Sequence, residues 1–172
     1  NRVPNIDKAI ISVHCHDDLG LAVANTIAAV DAGATHIQGT FLGFGERCGN
    51  CNLVTAILDL QLKKGYDILP EDSIKKFTDT ARRIAEITNV RLPKNTPYVG
   101  KAAFMHKGGM HGDGVMKYSP AFEHIDPSVV GNERSFPISE VAGRAIFLKK
   151  AQDVLPDVPL DKEQSDALLK KL

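Results

Sequence analysis

The sequence predicts an α/β fold in its N-terminal part, followed by a mainly helical region. Residues 9–16 form a short, mostly apolar run rich in Ile and Val, typical of a strand covered on both faces, and residues 34–41 are predicted to form a second strand. A segment with apolar residues at helical spacing follows each run. A β-α-β-α order of this length indicates a parallel sheet covered by helices. No further alternation of strand and helix patterns follows Tyr66.

The first two helices have recognisable starts and ends. Asp17 or Asp18 is expected to cap the first helix, and Gly33 stands where a left-handed residue ends it. The second helix is expected to begin with Asn50 as its N-cap and to run to about Lys64.

The rest of the chain is predicted to be helical and rich in loops. A helix that begins after Pro70 carries one apolar face, formed by Ile74, Phe77, Ala81, Ile84 and Ile87. Residues 106–114 contain four glycines in nine positions, which favours a loop. A short helix is expected after Asp126, and an amphipathic helix with Asp161 as its cap over residues 160–172.

Composition excludes several classes of protein. The 172 residues fit one domain with an appendage, and 43% hydrophobic with 24% charged residues is ordinary for a globular chain. Lys plus Arg and Asp plus Glu both number 21, so nothing favours nucleic acid. No apolar run reaches the roughly 18 residues of a membrane span. Three cysteines without a secretory feature indicate a reducing cytoplasm.

The strongest chemical signal is the stretch from Ser12 to His16. Side chains alternate along a strand, so Ser12, His14 and His16 share one face. Two imidazoles at this spacing, at the C-terminal end of a strand, can bind one metal ion. The alternative is that each is a satisfied core histidine.

Other polar residues have two interpretations each. Asn50 can offer a carbonyl oxygen to a metal, and Asp17 or Asp18 a carboxylate, although an Asp at a helix start is more often a cap. His111 has the chemistry of a general base, whereas an exposed loop histidine is usually inert. His36, inside the second strand, is interpreted as a packing residue.

The cysteines and the glycine-rich loop each allow a second interpretation. Cys48 and Cys51 with the histidine pair resemble a structural zinc site, but small buried cysteines are the favoured interpretation. Gly43 and Gly45 superficially resemble a dinucleotide loop, yet the third glycine of that fingerprint is misplaced.

Several motifs together resemble the 2-isopropylmalate, homocitrate and citramalate synthase family. They are His14-Cys15-His16-Asp17-Asp18-Leu19-Gly20, Gly43-Phe44-Gly45-Glu46-Arg47-Cys48-Gly49-Asn50 and His106-Lys107-Gly108-Gly109-Met110-His111. The resemblance is closest to the citramalate synthase branch, on Gln38-Gly39-Thr40, residues 60–66 and Ile125-Asp126-Pro127. It covers nearly the whole chain.

The resemblance implies a TIM (β/α)8 barrel, of which this chain holds the last two β-α units. Residues 1–65 would be the C-terminal portion of the barrel, and residues 66–172 a mainly helical post-barrel linker subdomain. The chain is then part of a larger polypeptide, and the isolated 172-residue piece is expected to be inactive.

The family also implies a ligand set. His14 and His16 would bind a divalent metal ion (Zn, Mn or Mg), with Asn50 as a further ligand or a supporting group. Gly45 and Gly49 would line the substrate site. The Asp-Arg-Glu signature that the family carries on its first barrel strand is absent from this sequence.

The implied reaction is a condensation of acetyl-CoA with a 2-oxo acid in a cytoplasmic homodimer. His111 would act as the base and reach the barrel mouth of the neighbouring subunit, with Glu46 and Arg47 as further catalytic residues. Where the family often carries a Tyr, this sequence has Phe122, and Tyr118, nearby but out of register, is the alternative partner of the base. The alternatives are a metal-dependent aldolase or lyase of the same fold, and a non-catalytic assembly fragment.

Overall fold

The structure is a computed structural model that describes residues 3–137, 144–156 and 162–169. It divides into two compact units, Asn1–Leu92 and Pro93–Leu172. The predicted end of the barrel portion at residue 65 concerns family architecture and stays a prediction. Within the described ranges, no helix has the length and apolar character needed to cross a membrane.

The first unit is built on a parallel pair of strands. These are β1 (Ser12–His14) and β2 (His36–Gln38), and their ladder involves three residues of each predicted run. The helix α1 (Ala22–Asp31) joins them, and α2 (Leu53–Leu62) follows β2. The predicted order of elements and the parallel pairing are therefore both present.

The first helix has Leu21 as its N-cap and Ala32 as its C-cap, so neither Asp17 nor Asp18 is the N-cap residue that the sequence predicts. The Ala22 amide donates to Asp17 Oδ1 at 2.9 Å, so Asp17, rather than Asp18, satisfies an amide of the first turn. Gly33 follows the helix with a φ of 110°, a backbone conformation that residues with a side chain rarely adopt.

The start of α2 corrects one prediction. Its N-cap is Asn52, whose Oδ1 accepts from the Val54 amide at 3.0 Å, and not Asn50. Asn50 lies two residues earlier and forms a β-bridge with His16. The helix buries the apolar residues that form much of the core of this unit, Val54, Ala56, Leu58 and Leu60.

The predicted helix after Pro70 is two helices. They are α3 (Glu71–Ile74) and α4 (Phe77–Ile87). Ile74, Phe77 and Ala81 are buried as their spacing predicts, and Ile84 is half-buried. Ile87 is 68% exposed, contrary to its assignment to the apolar face, because it is the last residue of α4 and lies beyond the buried stripe.

The second unit contains a helix where the sequence predicts a loop. Residues 109–114 belong to α5 (Gly109–Lys117). A Cβ at Gly112 would overlap the Ile146 side chain, and one at Gly114 the Phe122 ring. These glycines allow close packing of the helix, and the packing outweighs their low helix propensity.

The remaining elements of the second unit are short. Parallel bridging joins Met105 to Ser135. Asp126 caps a 3₁₀ turn, as the sequence predicts, through a hydrogen bond from the Ser128 amide. The predicted cap Asp161 lies outside the described residues. The other elements are a 3₁₀ turn (Ser119–Ala121), the capped turn (Pro127–Val130), α6 (Arg144–Val154) and α7 (Lys162–Leu169).

Candidate functional site

The histidine pair lies at the end of β1. The His14 and His16 rings are 5.2 Å apart between centroids, in an edge-on arrangement, and both residues are exposed. The alternative in which each is a satisfied core histidine therefore does not apply. His36, on the neighbouring strand, is also exposed, and its Nδ1 lies 2.8 Å from Ser12 Oγ, which corrects its interpretation as a packing residue.

The glycine-rich loop after β2 is bound to the chain that follows β1. The Asp17 amide donates to the Gly49 carbonyl at 2.9 Å, and the Cys51 amide donates to the Cys15 carbonyl at 2.9 Å. These two bonds flank the bridge between His16 and Asn50. Main-chain hydrogen bonding thus brings the histidine pair and Asn50 to one place, although 34 positions separate His16 from Asn50 in sequence.

Asn50 presents an oxygen without a partner. Within the described part of the chain, its Oδ1 is buried and makes no hydrogen bond. A Cβ at Gly45 would come within 2.6 Å of the Asn50 Nδ2, so a glycine is needed beside this amide. Gly49 has a φ of 95°, and a Cβ there would overlap the Gly43 carbonyl. Both glycines therefore shape the loop around Asn50.

An ion pair joins the glycine-rich loop to the segment that follows β1. Arg47 Nε lies 2.7 Å from Asp18 Oδ1, and Arg47 NH2 lies 2.8 Å from Asp18 Oδ2. The hydrogen bond from Arg47 lowers the pKa of Asp18. Arg47 has a φ of 55°, unusual for a residue with a side chain. The neighbouring Glu46 side chain is exposed.

The donor set fits a divalent cation only in part. Among the described residues, no group of three or more His, Cys, Asp or Glu side chains could hold a metal ion. The His14 and His16 rings are in contact, and the bridge between His16 and Asn50 joins the backbone of these two residues. A carboxylate is the ligand type that this set lacks.

The cysteines do not support the structural zinc interpretation. Cys48, Cys51 and Cys15 are free thiols. Cys51 is buried, and burial raises the pKa of its thiol, which disfavours the thiolate that zinc requires. Cys48 is exposed, which corrects its interpretation as a small buried residue.

The proposed base lies in the second unit. His111 is exposed in the first turn of α5, and its ring centroid is 5.3 Å from that of Phe122. Tyr118, at the end of α5, is 65% exposed. The structure thus brings the ring of Phe122, rather than a tyrosine hydroxyl, next to His111.

A buried polar cluster in the same unit is not evident from the sequence. His106 Nε2 lies 2.8 Å from Glu123 Oε1, while Arg134 donates from Nε to Oε1 at 2.8 Å and from NH2 to Oε2 at 2.5 Å. The Glu123 side chain is only 3% exposed. Burial alone would raise its pKa, but the hydrogen bonds from Arg134 and His106 lower it.

One residue that sequence reasoning missed now joins the candidates. Glu123 joins His106 to Arg134, and the sequence carried no signal for it, because these partners are 17 and 11 positions away. Asp18, considered from the sequence as a cap or a metal ligand, is instead paired with Arg47.

Family models match both parts of the chain. Residues 1–89 match the model described as HMGL-like, and residues 98–172 match the one described as homocitrate synthase post-HMGL domain-like. The chain belongs to the HMGL-like family. This confirms the family that the histidine and glycine motifs indicate.

Curated relatives of this HMGL-like chain are synthases. It is 47% identical to the (R)-citramalate synthase of Aquifex aeolicus over 145 residues, which cover 84% of this chain and 28% of that protein. Identity is 50% over 142 residues with the (R)-citramalate synthase of Sulfolobus acidocaldarius, covering 82% of this chain and 27% of the relative. The identity with the 2-isopropylmalate synthase of Bacillus cereus is 40% over 154 residues, which cover 88% of this chain and 30% of that protein. The chain therefore spans less than a third of the length of these relatives.

Proposed function

We propose that this chain is part of an acyltransferase that condenses acetyl-CoA with a 2-oxo acid. The synthase relatives support this class of reaction. The (R)-citramalate synthases among them favour pyruvate as the first acid to test, since addition of an acetyl unit to pyruvate gives citramalate. The complete protein, rather than this chain alone, would carry the activity.

The architecture proposed for the complete protein is a TIM barrel. Residues 8–64 would supply its seventh and eighth β-α units, and residues 66–172 the post-barrel subdomain. The parallel strands and the order β1, α1, β2, α2 support this assignment. His16 follows β1 and Asn50 follows β2 in the chain, and barrel enzymes place their active sites at the C-terminal ends of the strands.

The unpartnered Oδ1 of Asn50 is the observation that carries the metal proposal. A buried amide oxygen without a hydrogen bond is costly unless a ligand satisfies it. His14, His16 and Asn50 would bind a divalent ion (Zn, Mn or Mg), and a carboxylate elsewhere in the complete protein would complete the set. Such an ion acts as a Lewis acid on a carbonyl oxygen.

His111 is proposed to take a proton from the acetyl methyl group of acetyl-CoA. The electron pair released at that carbon forms the new bond to the keto carbon of the acid, while the π pair of the keto C=O moves to its oxygen, which takes up a proton and becomes a hydroxyl. Water then cleaves the thioester and releases CoA. Exposure of the imidazole suits this role, because the base has to reach a substrate that is not part of its own helix.

Glu46 and Arg47 are proposed to act beside the strand ends, and Gly45 and Gly49 to line the substrate site. The Arg47 guanidinium is paired with Asp18, which fixes its position at the edge of the loop. We also propose a homodimer in which His111 serves the partner subunit. The free thiols support a reducing compartment such as the cytoplasm.

A CoA-release assay on the complete protein tests the proposal. Acetyl-CoA is supplied with Mg²⁺, Mn²⁺ or Zn²⁺ and with pyruvate, 2-oxoisovalerate or 2-oxoglutarate in turn. Thiol release that depends on one acid and on the cation supports the acyltransferase. No release with any acid would reject it, and cleavage of a hydroxy acid without CoA would favour the aldolase or lyase of the same fold.

A further inference from the structure

The His111 ring has an aromatic neighbour that is itself held in place. Phe122 lies 5.3 Å from His111 between ring centroids, with an angle of 50° between the ring planes. Phe122 also packs on α5 at Gly114, where a Cβ would overlap its ring. Because His111 is exposed, contact with Phe122 restricts an imidazole that would otherwise sample several rotamers.

Glu123, the residue after Phe122, is anchored in the interior of this unit. Its side chain is 3% exposed, and its carboxylate is hydrogen-bonded to His106 and to both ends of the Arg134 fork. Charged and bidentate hydrogen bonds of this kind are among the strongest in proteins. The carboxylate thus fixes the backbone at position 123.

Main-chain hydrogen bonds connect Glu123 to Phe122 within one turn. The amides of Phe122 and Glu123 both donate to the Ser119 carbonyl, at 3.0 and 2.9 Å. On the other side of the cluster, the His106 amide donates to the Ser135 carbonyl at 3.0 Å, which places His106 and Arg134 together. A rigid turn therefore joins the buried carboxylate to the exposed ring.

We propose that Glu123 is a positioning residue for His111. It holds Phe122 against Gly114, and Phe122 in turn fixes the orientation of the imidazole. The proposal rests on the proposed function of His111 as the base. The cluster would then do more than stabilise the unit, because its loss would misplace the imidazole even in molecules that stay folded.

A double-mutant cycle in the complete protein separates positioning from stability. The variants are Phe122→Leu, Glu123→Gln and the two combined, with kcat and KM measured for CoA release. Each single change is expected to lower kcat about tenfold and to leave KM within about twofold, since misplacing a catalytic group by about 1 Å can cost about 10²-fold. If Glu123 acts through Phe122, Glu123→Gln should lower kcat by less than about twofold in the Phe122→Leu background.

Two further variants keep the cycle interpretable. Glu133→Gln makes the same chemical change at an exposed carboxylate next to Arg134 and is expected to leave kcat unchanged. Gly114→Ala should displace the Phe122 ring while favouring the helix, so a loss of kcat there reports on the ring rather than on helix stability. Additive losses in the double mutant, or an unchanged kcat in Gly114→Ala, would overturn the proposal.

Nuclear magnetic resonance of the imidazole gives a readout that does not depend on turnover. The ring protons of His111, assigned with His111→Gln, are expected to shift in Phe122→Leu, and in the same direction in Glu123→Gln, but not in Glu133→Gln. An unshifted His111 signal in Glu123→Gln would reject the positioning role. If the wild-type protein releases no CoA with any acid, the proposed function fails, and this spectrum alone decides whether Glu123 orients the imidazole.

Discussion

The candidate metal site of the first unit and the Glu123 cluster of the second unit differ in how their polar side chains are satisfied. In the first unit, His14 and His16 are exposed, and the buried Oδ1 of Asn50 has no hydrogen-bond partner within the described residues. In the second unit, Glu123 is buried and hydrogen-bonded through both carboxylate oxygens. Polar groups left without protein partners are available to a ligand, whereas saturated ones hold the structure together.

This difference has an energetic basis. A buried polar atom without a partner costs about 1–3 kcal/mol, so the chain tolerates one only where something else compensates for it. Removing one member of a saturated cluster instead leaves a charge buried without its counter-ion. Substitution of His14 or His16 should therefore change activity more than stability, and substitutions in the Glu123 cluster should change stability first.

The largest effect is expected from His14→Ala in the complete protein. It should abolish CoA release and weaken the binding of divalent cations, measured by calorimetry, because a ligand is lost. The thermal unfolding midpoint should stay nearly constant, since the side chain is exposed. His36→Ala is the matched control, an exposed strand histidine that should retain activity. Full metal content and turnover in His14→Ala would contradict the ligand assignment.

A second comparison sets the two histidines of the second unit against each other. His111→Ala should lower kcat by about 10²–10⁴, the usual contribution of a general base, with little change in KM. His106→Ala should clearly lower the unfolding midpoint, because it breaks a contact with the buried Glu123. Its effect on kcat should be smaller than that of His111→Ala. The reverse pattern, with activity lost only in His106→Ala, would exchange their roles.

The cluster around Glu123 should also make stability depend on pH. Its pKa in the folded protein lies below the usual value near 4.5, so the unfolded chain binds more protons in that range. The stabilisation is present above about pH 4.5 and is lost as the pH falls through the lowered pKa. Urea unfolding between pH 3 and 7 should show this loss in the wild type and a weaker one in Glu123→Gln.

At neutral pH the same variant should lose about 3 kcal/mol of unfolding free energy, the cost of breaking a buried ion pair. Glu133→Gln should match the wild type in both measurements, because its side chain is exposed. Equal pH profiles for the wild type and Glu123→Gln would show that the cluster is not the source of the acid sensitivity.

The smallest effect on stability is expected from Asp18→Asn. The Asp18 and Arg47 side chains are 43% and 58% exposed, and exposed ion pairs contribute little to folding. The unfolding midpoint should hardly move at low salt and not at all at high salt. A large loss of stability at both salt concentrations would contradict this prediction and would show that the ion pair is needed for the loop to fold.

The sequence by itself determined the order of elements from β1 to α2 and the identity of the motif residues. Alternation along a strand is a local property, so His14 and His16 could be assigned to one face without a structure. The positive φ at Gly33 follows equally from its place after a helical pattern. Family membership could also be inferred from the motifs, because the residues of each motif are consecutive in the sequence.

Only the tertiary structure decided which of several similar residues takes each role. Asn52 rather than Asn50 caps α2, and Asp17 rather than Asp18 bonds to the first turn of α1, because main-chain pairing places Asn50 on His16 and an ion pair holds Asp18. Nothing local distinguishes these choices.

The helix at residues 109–117 and the Glu123 cluster depended on tertiary structure in the same way. Four glycines between 106 and 114 favour a loop locally, yet two of them allow close packing against Ile146 and Phe122. The cluster joins residues separated by 11 and 17 positions. Interactions over such separations exist only once the chain has folded, so no periodicity or spacing in the sequence records them.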